Sequence, residues 1–207
     1  MWSMLTSRRL ARLALAASVA LPLAGCASEL TRTGSSPAFI IINSLVGASG
    51  AEPDKFGTPL LSDVQTNGGV FNDLGRAIMR VALKNPGTLT NPTSPSTLNS
   101  ITVNRYRVTY RRTDGRNTQG VDVPFAFDGA VTATIPADGI VTFSFDVVRH
   151  QAKLEAPLKN LRGLGGSLLI STIAEIEFYG RDQVGNEVVA TGTLSVDFAD
   201  FADPDTQ

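Results

Sequence analysis

The two residue types on which much nucleophilic catalysis depends occur once each in this 207-residue chain, as Cys26 and His150. A hydrolase of the serine type needs a base beside its nucleophile, and only His150 could be an imidazole base. No Gly-x-Ser-x-Gly sequence occurs, and one histidine cannot form a multi-imidazole metal centre. We therefore expect His150 to be a surface or sheet-end histidine, and we expect no enzymatic activity.

Oxygen-bearing side chains in the predicted loops suggest a calcium site. Asp182 and Asn186 share one loop, and Asp200 and Asp203 follow the last predicted strand. Calcium takes six to eight oxygen ligands, but these spacings do not match the twelve-residue calcium loop with its terminal glutamate. The alternative is a solvated acidic tail, and the residues indicate no other cofactor.

Basic side chains recur on one face of a predicted strand, at Arg105, Arg107 and Arg111. They could form an anion patch for lipid head groups or acidic glycans. Alternatively, they could pair across strands with acids such as Glu175 and Glu177. Nucleic acid is not an expected partner: beyond the leader, 15 basic residues face 19 acidic ones, a net charge of −4.

Residues 1–25 have the plan of a secretory signal peptide, with three arginines before an apolar run over 13–24. The run is too short for a membrane span, which needs roughly 20 apolar residues. The following tetrapeptide, Leu23-Ala24-Gly25-Cys26, resembles the lipobox of bacterial lipoproteins. The resemblance implies a diacylglyceryl group on the Cys26 thiol, cleavage before Cys26, and a fatty acyl chain such as palmitate on the new amino terminus.

The resemblance also implies a location. Ala27 stands where the aspartate that retains lipoproteins at the inner membrane would be, which favours the outer membrane of the cell envelope. Residues 26–37 are then a lipidated, flexible tether whose eleven free residues span about 18 Å. The expected partners are the membrane, through the lipid, and another envelope protein.

Period-two alternation runs through 38–199 and predicts eight or nine short strands. Tyr106, Val108 and Tyr110 share one face, as do Ala77, Met79 and Val81. Alternation of this kind favours antiparallel sheets with one wet face, and therefore an all-β sandwich of two sheets. Residues 200–207 form an acidic tail.

Several local predictions complete this scheme. We expect a strand over 121–127 that ends in a hairpin turn at Asp128-Gly129. A helix within 149–161 is kept short by Pro157. The glycine-rich run 163–167 lacks the lysine of a phosphate-binding loop and is predicted to be an inter-strand loop.

Two short stretches resemble known modules. Tyr106-Arg107-Val108-Thr109-Tyr110 resembles the third strand of fibronectin type III domains, and the segment 180–187 is similar to the final hairpin turn of bacterial immunoglobulin-like domains. The resemblance implies an immunoglobulin-like or fibronectin-like sandwich with long insertions at 47–75 and 85–100. It implies no activity, because sandwiches host many functions. We expect a non-catalytic envelope lipoprotein with a structural or interaction role; the alternative is a calcium-assisted adhesion or ligand-binding module.

Overall fold

Strands form where apolar and polar residues alternate, and the computed structural model, which describes residues 35–203, contains eight of them in that part of the chain. Their bounds are β1 (Ala38–Ala48), β2 (Leu60–Asp63), β3 (Asp73–Leu83), β4 (Ile101–Arg111), β5 (Phe127–Ile135), β6 (Ile140–Val148), β7 (Ile170–Asp182) and β8 (Glu187–Ala199). A short helix, α1 (His150–Leu154), and two 3₁₀ turns, Thr97–Asn99 and Leu158–Leu161, lie between strands.

Two sheets face each other, with strand orders β1-β3-β6 and β2-β8-β7-β4-β5. The predicted all-β, two-sheet sandwich is therefore confirmed. The expectation of purely antiparallel pairing is wrong at one edge, since β2 runs parallel to β8. The loop 49–59 first folds back along the end of β1, where Gly47 and Gly57 exchange backbone hydrogen bonds, so the chain then resumes its original direction in β2.

The core lies between the sheets and uses the faces that alternation predicts. Tyr106, Val108 and Tyr110 of β4 are buried, and so are Ala77 and Met79 of β3. Aromatic rings from both sheets meet at the centre in edge-to-face contacts, a favourable arrangement for ring quadrupoles. These contacts join Tyr106 with Phe145 (5.0 Å between centroids), Phe145 with Phe178 (5.2 Å) and Phe143 with Phe178 (5.8 Å).

The sandwich has two ends that differ in content. The proximal end is where β1 begins at Ala38, beside the loop 84–100 and the β7–β8 hairpin turn at 183–186. The distal end holds the loops 49–59 and 112–126 and the helical segment 149–169. The loop 85–100 is confirmed as a loop that contains one 3₁₀ turn, and α1 is short as predicted, with Pro157 just beyond it.

The predictions for 121–129 are wrong. Val121 and Phe125 are more than half exposed, and residues 121–126 form only one isolated bridge, in which Val123 pairs with Gln119. Asp128 and Gly129 do not form a turn but lie inside β5, opposite Arg107 and Tyr106. Glycine at 129 makes room for the Tyr106 ring, because a β-carbon there would lie 2.1 Å from the Cζ atom of Tyr106.

Candidate binding site

A cavity of about 310 Å³ opens at the distal end, where the edge strands of the two sheets approach each other. Its lining includes Phe127 at the start of β5 and Asp146 near the end of β6, with Phe125, His150 and Glu155 from the distal segments. This volume is at the lower end of the range for ligand sites, and the mixture of apolar walls with a few polar groups is typical of them.

One wall is aromatic. Phe125 lies against Gly120, whose φ of +76° is a backbone conformation that favours glycine, and a β-carbon there would lie 2.6 Å from the Phe125 ring. The Phe125 side chain is 54% exposed, so it is available to a ligand. The neighbouring Phe127 ring is covered by the Arg149 guanidinium, 4.0 Å from its centroid, and Arg149 also donates to the backbone oxygen of Asp128.

The opposite wall is the start of α1, which Asn72 fixes. The Asn72 Oδ1 atom accepts hydrogen bonds from the His150 backbone N–H (2.7 Å) and interacts with His150 Nδ1 (2.9 Å). The Asn72 Oδ1 atom is a carbonyl oxygen and can only accept hydrogen bonds, so His150 Nδ1 must carry a proton and donate it to Oδ1. In neutral His150 the other ring nitrogen, Nε2, is then a hydrogen-bond acceptor.

Behind this wall lies a buried ion pair. Lys153 Nζ is 2.7 Å from Asp73 Oδ1, and both side chains are almost completely removed from solvent. Asp73 also accepts hydrogen bonds from the Gly50 backbone N–H (2.8 Å) and the Ser62 hydroxyl (2.5 Å). Burial raises the pKa of the Asp73 carboxyl, and the Lys153 charge and these hydrogen bonds oppose that rise.

The two residues of the ion pair are close in sequence to the two residues that form the cavity wall. Asn72 precedes Asp73, while His150 and Lys153 lie one turn apart on α1. Lysine is rarely fully buried, and a buried pair is a weak source of stability compared with apolar residues. Here the pair connects α1, which carries Lys153, to the start of β3, which carries Asp73. Lys153 was not predicted to be buried, since nothing in the pattern of residues 149–155 marks it as a buried residue.

The Tyr106 hydroxyl closes the gap between the edge strands beside the cavity. It accepts a hydrogen bond from the backbone N–H of Asp146, 3.1 Å away. Burial raises the pKa of Tyr106, and the Asp146 charge adds to the rise. His150 itself is exposed and lies just after the end of β6, as predicted, and it also lines the cavity.

The four predicted calcium ligands do not come together. Asp182 and Asn186 lie in the β7–β8 hairpin at the proximal end, whereas Asp200 and Asp203 follow β8 at the distal end. β7 and β8 are 13-residue strands, so at roughly 3.3 Å per residue the two pairs are about 40 Å apart. Within residues 35–203, no three His, Cys, Asp or Glu side chains are grouped to hold a metal ion.

Each of these acids has a structural hydrogen-bonding role instead. Asp182 accepts from the Val184 N–H (3.0 Å), the Asn186 N–H (2.9 Å) and the Asn186 side chain (2.8 Å), and from Ser36. Burial acts to raise the pKa of Asp182, but these hydrogen bonds outweigh it and lower the pKa. Asp182 thereby joins the β7–β8 turn to the residues that lead into β1.

The two distal acids organise loops. Asp200 accepts hydrogen bonds from the Gly163 N–H (2.7 Å) and the Gly165 N–H (3.3 Å), in a glycine-rich segment that is an inter-strand loop as predicted. Asp203 accepts from the Asn67 N–H at 2.8 Å. These two side chains are thus loop acceptors, and Asp203 remains exposed to solvent.

The three arginines of β4 all have acidic neighbours. Arg107 Nη1 lies 2.7 Å and Arg105 Nη1 3.6 Å from oxygens of Asp128, and Arg111 Nε lies 3.0 Å from Glu175. Pairing across strands, the alternative to an anion patch, is therefore the observed arrangement. Glu177, in contrast, accepts a hydrogen bond from the Tyr179 hydroxyl rather than pairing with arginine.

The predicted lipid site, Cys26 with Leu23, Ala24 and Gly25, lies outside the described residues, as do the rest of 1–34 and 204–207. Among the helices of the described part, none is long and apolar enough to cross a membrane.

No family model and no curated protein matches this chain. A solved structure described as the X-ray structure of Northeast Structural Genomics Consortium target SoR45 is similar to it with a TM-score of 0.34 and 8% sequence identity. The match covers 80% of this chain and 88% of the other.

Proposed function

We propose that this chain is a lipid-anchored protein of the bacterial cell envelope, with its address at the outer membrane, and that its sandwich binds another envelope protein without catalysing a reaction. The observation that carries the proposal is the leader, in which Leu23-Ala24-Gly25-Cys26 follows a basic segment and an apolar run of signal-peptide length. Two or three acyl chains on Cys26 give durable attachment, which a single chain does not.

The arrangement of the sandwich is consistent with such a role. Ser36, which leads into β1, is buried beside Asp182 at the proximal end, whereas the cavity opens at the distal end. A chain tethered through residues 26–37 would therefore carry its binding surface on the end farther from the tether. The cavity's polar groups are carboxylates, amides, an imidazole and a guanidinium, all suited to recognition by charge and hydrogen bonds.

An immunoglobulin-like or fibronectin-like classification is part of the proposal. Three strands of one sheet, β1-β3-β6, face a sheet in which β8, β7 and β4 are successive neighbours. Immunoglobulin-like domains have the same arrangement: the last strand pairs with the one before it, which pairs with the third strand, and the opposite sheet contains the first two strands. The correspondence holds when the short strand β2 is set aside, so that β1, β3 and β4 are the first three strands. The short edge strand β2 beside β8 and the long insertions are elaborations on that plan.

Metabolic labelling with a fatty-acid analogue tests the anchor. We expect label in the wild-type full chain and in Ser28→Ala, a matched change two residues away, but none in Cys26→Ala. The labelled protein should sediment with the outer membrane on a density gradient. Label that persists in Cys26→Ala, or is absent from the wild type, would contradict the anchor; sedimentation with the inner membrane would contradict the address.

Site-specific crosslinking in living cells tests the binding role. A photoreactive amino acid at Gln151, in the cavity lining, should link to one discrete envelope protein, whereas one at Asp138, in the turn between β5 and β6 at the proximal end, should not. Equal crosslinking at both positions, or none at Gln151, would argue against recognition at the cavity.

A further inference from the structure

We propose that the cavity receives a lysine or arginine side chain from an extended segment of the partner protein. This inference rests on the binding role proposed above and specifies its chemistry. It follows from four features of the distal end: the charge of the lining, its apolar wall, the free strand edge beside the cavity, and the contacts that hold its walls.

The charge of the lining favours a cation. Asp146 and Glu155 both line the cavity, and within residues 35–203 neither carboxylate has a basic group within 4.0 Å. The one guanidinium in the lining, Arg149, already lies on Phe127 and donates to a backbone oxygen. A ligand cation would therefore meet two carboxylates, with Nε2 of neutral His150 as a further acceptor.

The apolar wall suits the stem of a basic side chain. Lysine and arginine bury their methylene groups along apolar surfaces while the charged head reaches polar groups. Phe125, Pro124 and Ala152 offer such a surface in the lining, and the Phe125 ring is half exposed. The volume of about 310 Å³ fits one long side chain better than a large ligand.

The position of the cavity favours a peptide over a free amine. Within residues 35–203, β6 is the last strand of its sheet and pairs only with β3, so in this part of the chain its other edge has no strand partner. An extended segment can add to such an edge by main-chain hydrogen bonds while pockets select its side chains. Asp146 is near the end of β6, so a segment that follows this edge leads to the cavity. The Tyr106 hydroxyl already occupies the Asp146 N–H, which ends the free edge beside the cavity.

The walls are held in place before any ligand arrives. Asn72 fixes His150, and the buried Asp73–Lys153 pair fixes α1 behind it. Preorganised sites bind more tightly because little conformational freedom is lost on binding.

The test uses the isotope-labelled mature chain in detergent micelles and follows backbone amide shifts by NMR. The probe is Nα-acetyl-lysine-methylamide, and its matched control is the norleucine analogue, which keeps the stem but lacks the ammonium group. We expect saturable shifts at Ala126, His150 and Gln151 with the lysine probe, and binding weaker by about tenfold or more with the norleucine analogue, since charge-assisted hydrogen bonds are lost.

Substitutions locate the effect. Asp146→Asn and Glu155→Gln should each weaken binding of the lysine probe by roughly tenfold, whereas Asp138→Asn, the same change at the proximal end, should leave it unaltered. Glu155 is exposed, so its variant tests the idea even if Asp146→Asn impairs folding. Equal binding of the two analogues, no saturable binding, or unaltered binding in both variants would overturn the proposal.

Two further comparisons distinguish a peptide from a free amine as the ligand, and failure of the proposed ligand from failure of the proposed binding role. Binding of 1-aminobutane, which has the stem and single charge of the lysine side chain but no peptide groups, as tight as that of the lysine probe would overturn the assignment to a peptide. If Gln151 crosslinks a partner in cells but the lysine probe does not bind, the ligand class is wrong and the binding role stands. The NMR measurement does not depend on the lipid, so failure of the anchor would leave its outcome unchanged.

Discussion

The ring of Tyr106 lies over Gly129 on the neighbouring strand, so closely that a β-carbon at position 129 would lie 2.1 Å from the Tyr106 Cζ atom. The same ring carries its hydroxyl to the backbone N–H of Asp146 in the other sheet. Gly129 thus lets one side chain join β4 to β6 across the gap between the edge strands, next to the cavity.

This contact predicts a large effect for a single methyl group. Gly129→Ala should destabilise the protein by about 1–3 kcal/mol, the usual cost of overpacking, because the added β-carbon would overlap the Tyr106 ring, which is buried and packed against Phe145. Urea denaturation measures the change. Gly57→Ala is the matched control: no atom lies within 4 Å of its added β-carbon, and a change within about 0.5 kcal/mol is expected. Equal effects of the two substitutions would show that the Tyr106 ring is not confined.

The buried ion pair predicts a second large effect. Lys153→Met removes one charge and leaves Asp73 buried without its partner, at a cost of about 3–5 kcal/mol. Lys159→Met, an exposed lysine in the adjacent 3₁₀ turn, should be nearly neutral. The free energy of unfolding at neutral pH distinguishes them, and similar values would contradict the role given to Lys153.

The pH dependence of the same variant has a defined sign. Burial raises the pKa of Asp73 above its value of 3.8 in the unfolded chain. The protonated carboxyl is then favoured in the folded state, so its contribution to stability is fully present below the unfolded pKa and is lost as the pH rises through the folded pKa. Lys153 opposes this rise in the pKa, so Asp73 gains more from protonation in Lys153→Met than in the wild type. The stability deficit of the variant should therefore shrink on acidification, and a deficit that grows would exclude this explanation.

Asp182, in the β7–β8 turn, should contribute to stability with a pH dependence opposite to that of Asp73. Its pKa is lowered in the folded state, so its contribution is present above the unfolded value of 3.8 and is lost as the pH falls through the folded pKa. Asp182→Asn should cost about 1–3 kcal/mol at neutral pH and less below pH 4, by thermal or urea unfolding. Asp138→Asn, in an exposed turn, should show neither effect. A cost that does not vary with pH would indicate packing rather than charge.

The arginine face of β4 predicts small effects. Arg107→Gln and Arg111→Gln should each change the free energy of unfolding by less than about 1 kcal/mol, since their ion pairs are solvent-exposed. The differences should decrease at high salt, where exposed charges are screened. A loss well above this size that persists in high salt would mean that these arginines have another role.

Strand faces were predictable from the sequence, because a side chain in a strand faces either the core or the solvent. Alternation placed Tyr106, Val108 and Tyr110 in the core without any tertiary information. It failed at 121–127, where the apolar residues alternate but two of them belong to an exposed loop and the wall of a cavity. Asp128 and Gly129 are typical turn residues, but here Asp128 pairs with Arg107 and Gly129 makes room for the Tyr106 ring. Both partners lie on the neighbouring strand β4, which the local sequence does not reveal.

The cavity could not be derived from the sequence in the same way. His150 was singled out as the only histidine, but its partner Asn72 is distant in the chain, and the Lys153–Asp73 pair spans a similar separation. Charged residues in a short helix usually face solvent, so Lys153 gave no local signal. The proposed calcium ligands failed for a related reason: loops close in composition lie at opposite ends of the same strands.

The proposed function requires that Cys26 becomes a lipid-bearing amino terminus that ties the sandwich to the envelope membrane. Mass spectrometry of the intact protein purified from its own membrane tests it most directly. We expect a chain that begins at Cys26 and is heavier than its polypeptide by a diacylglyceryl group and an amide-linked fatty acid. A chain that retains residues 1–25, or one with an unmodified Cys26 thiol, would contradict it.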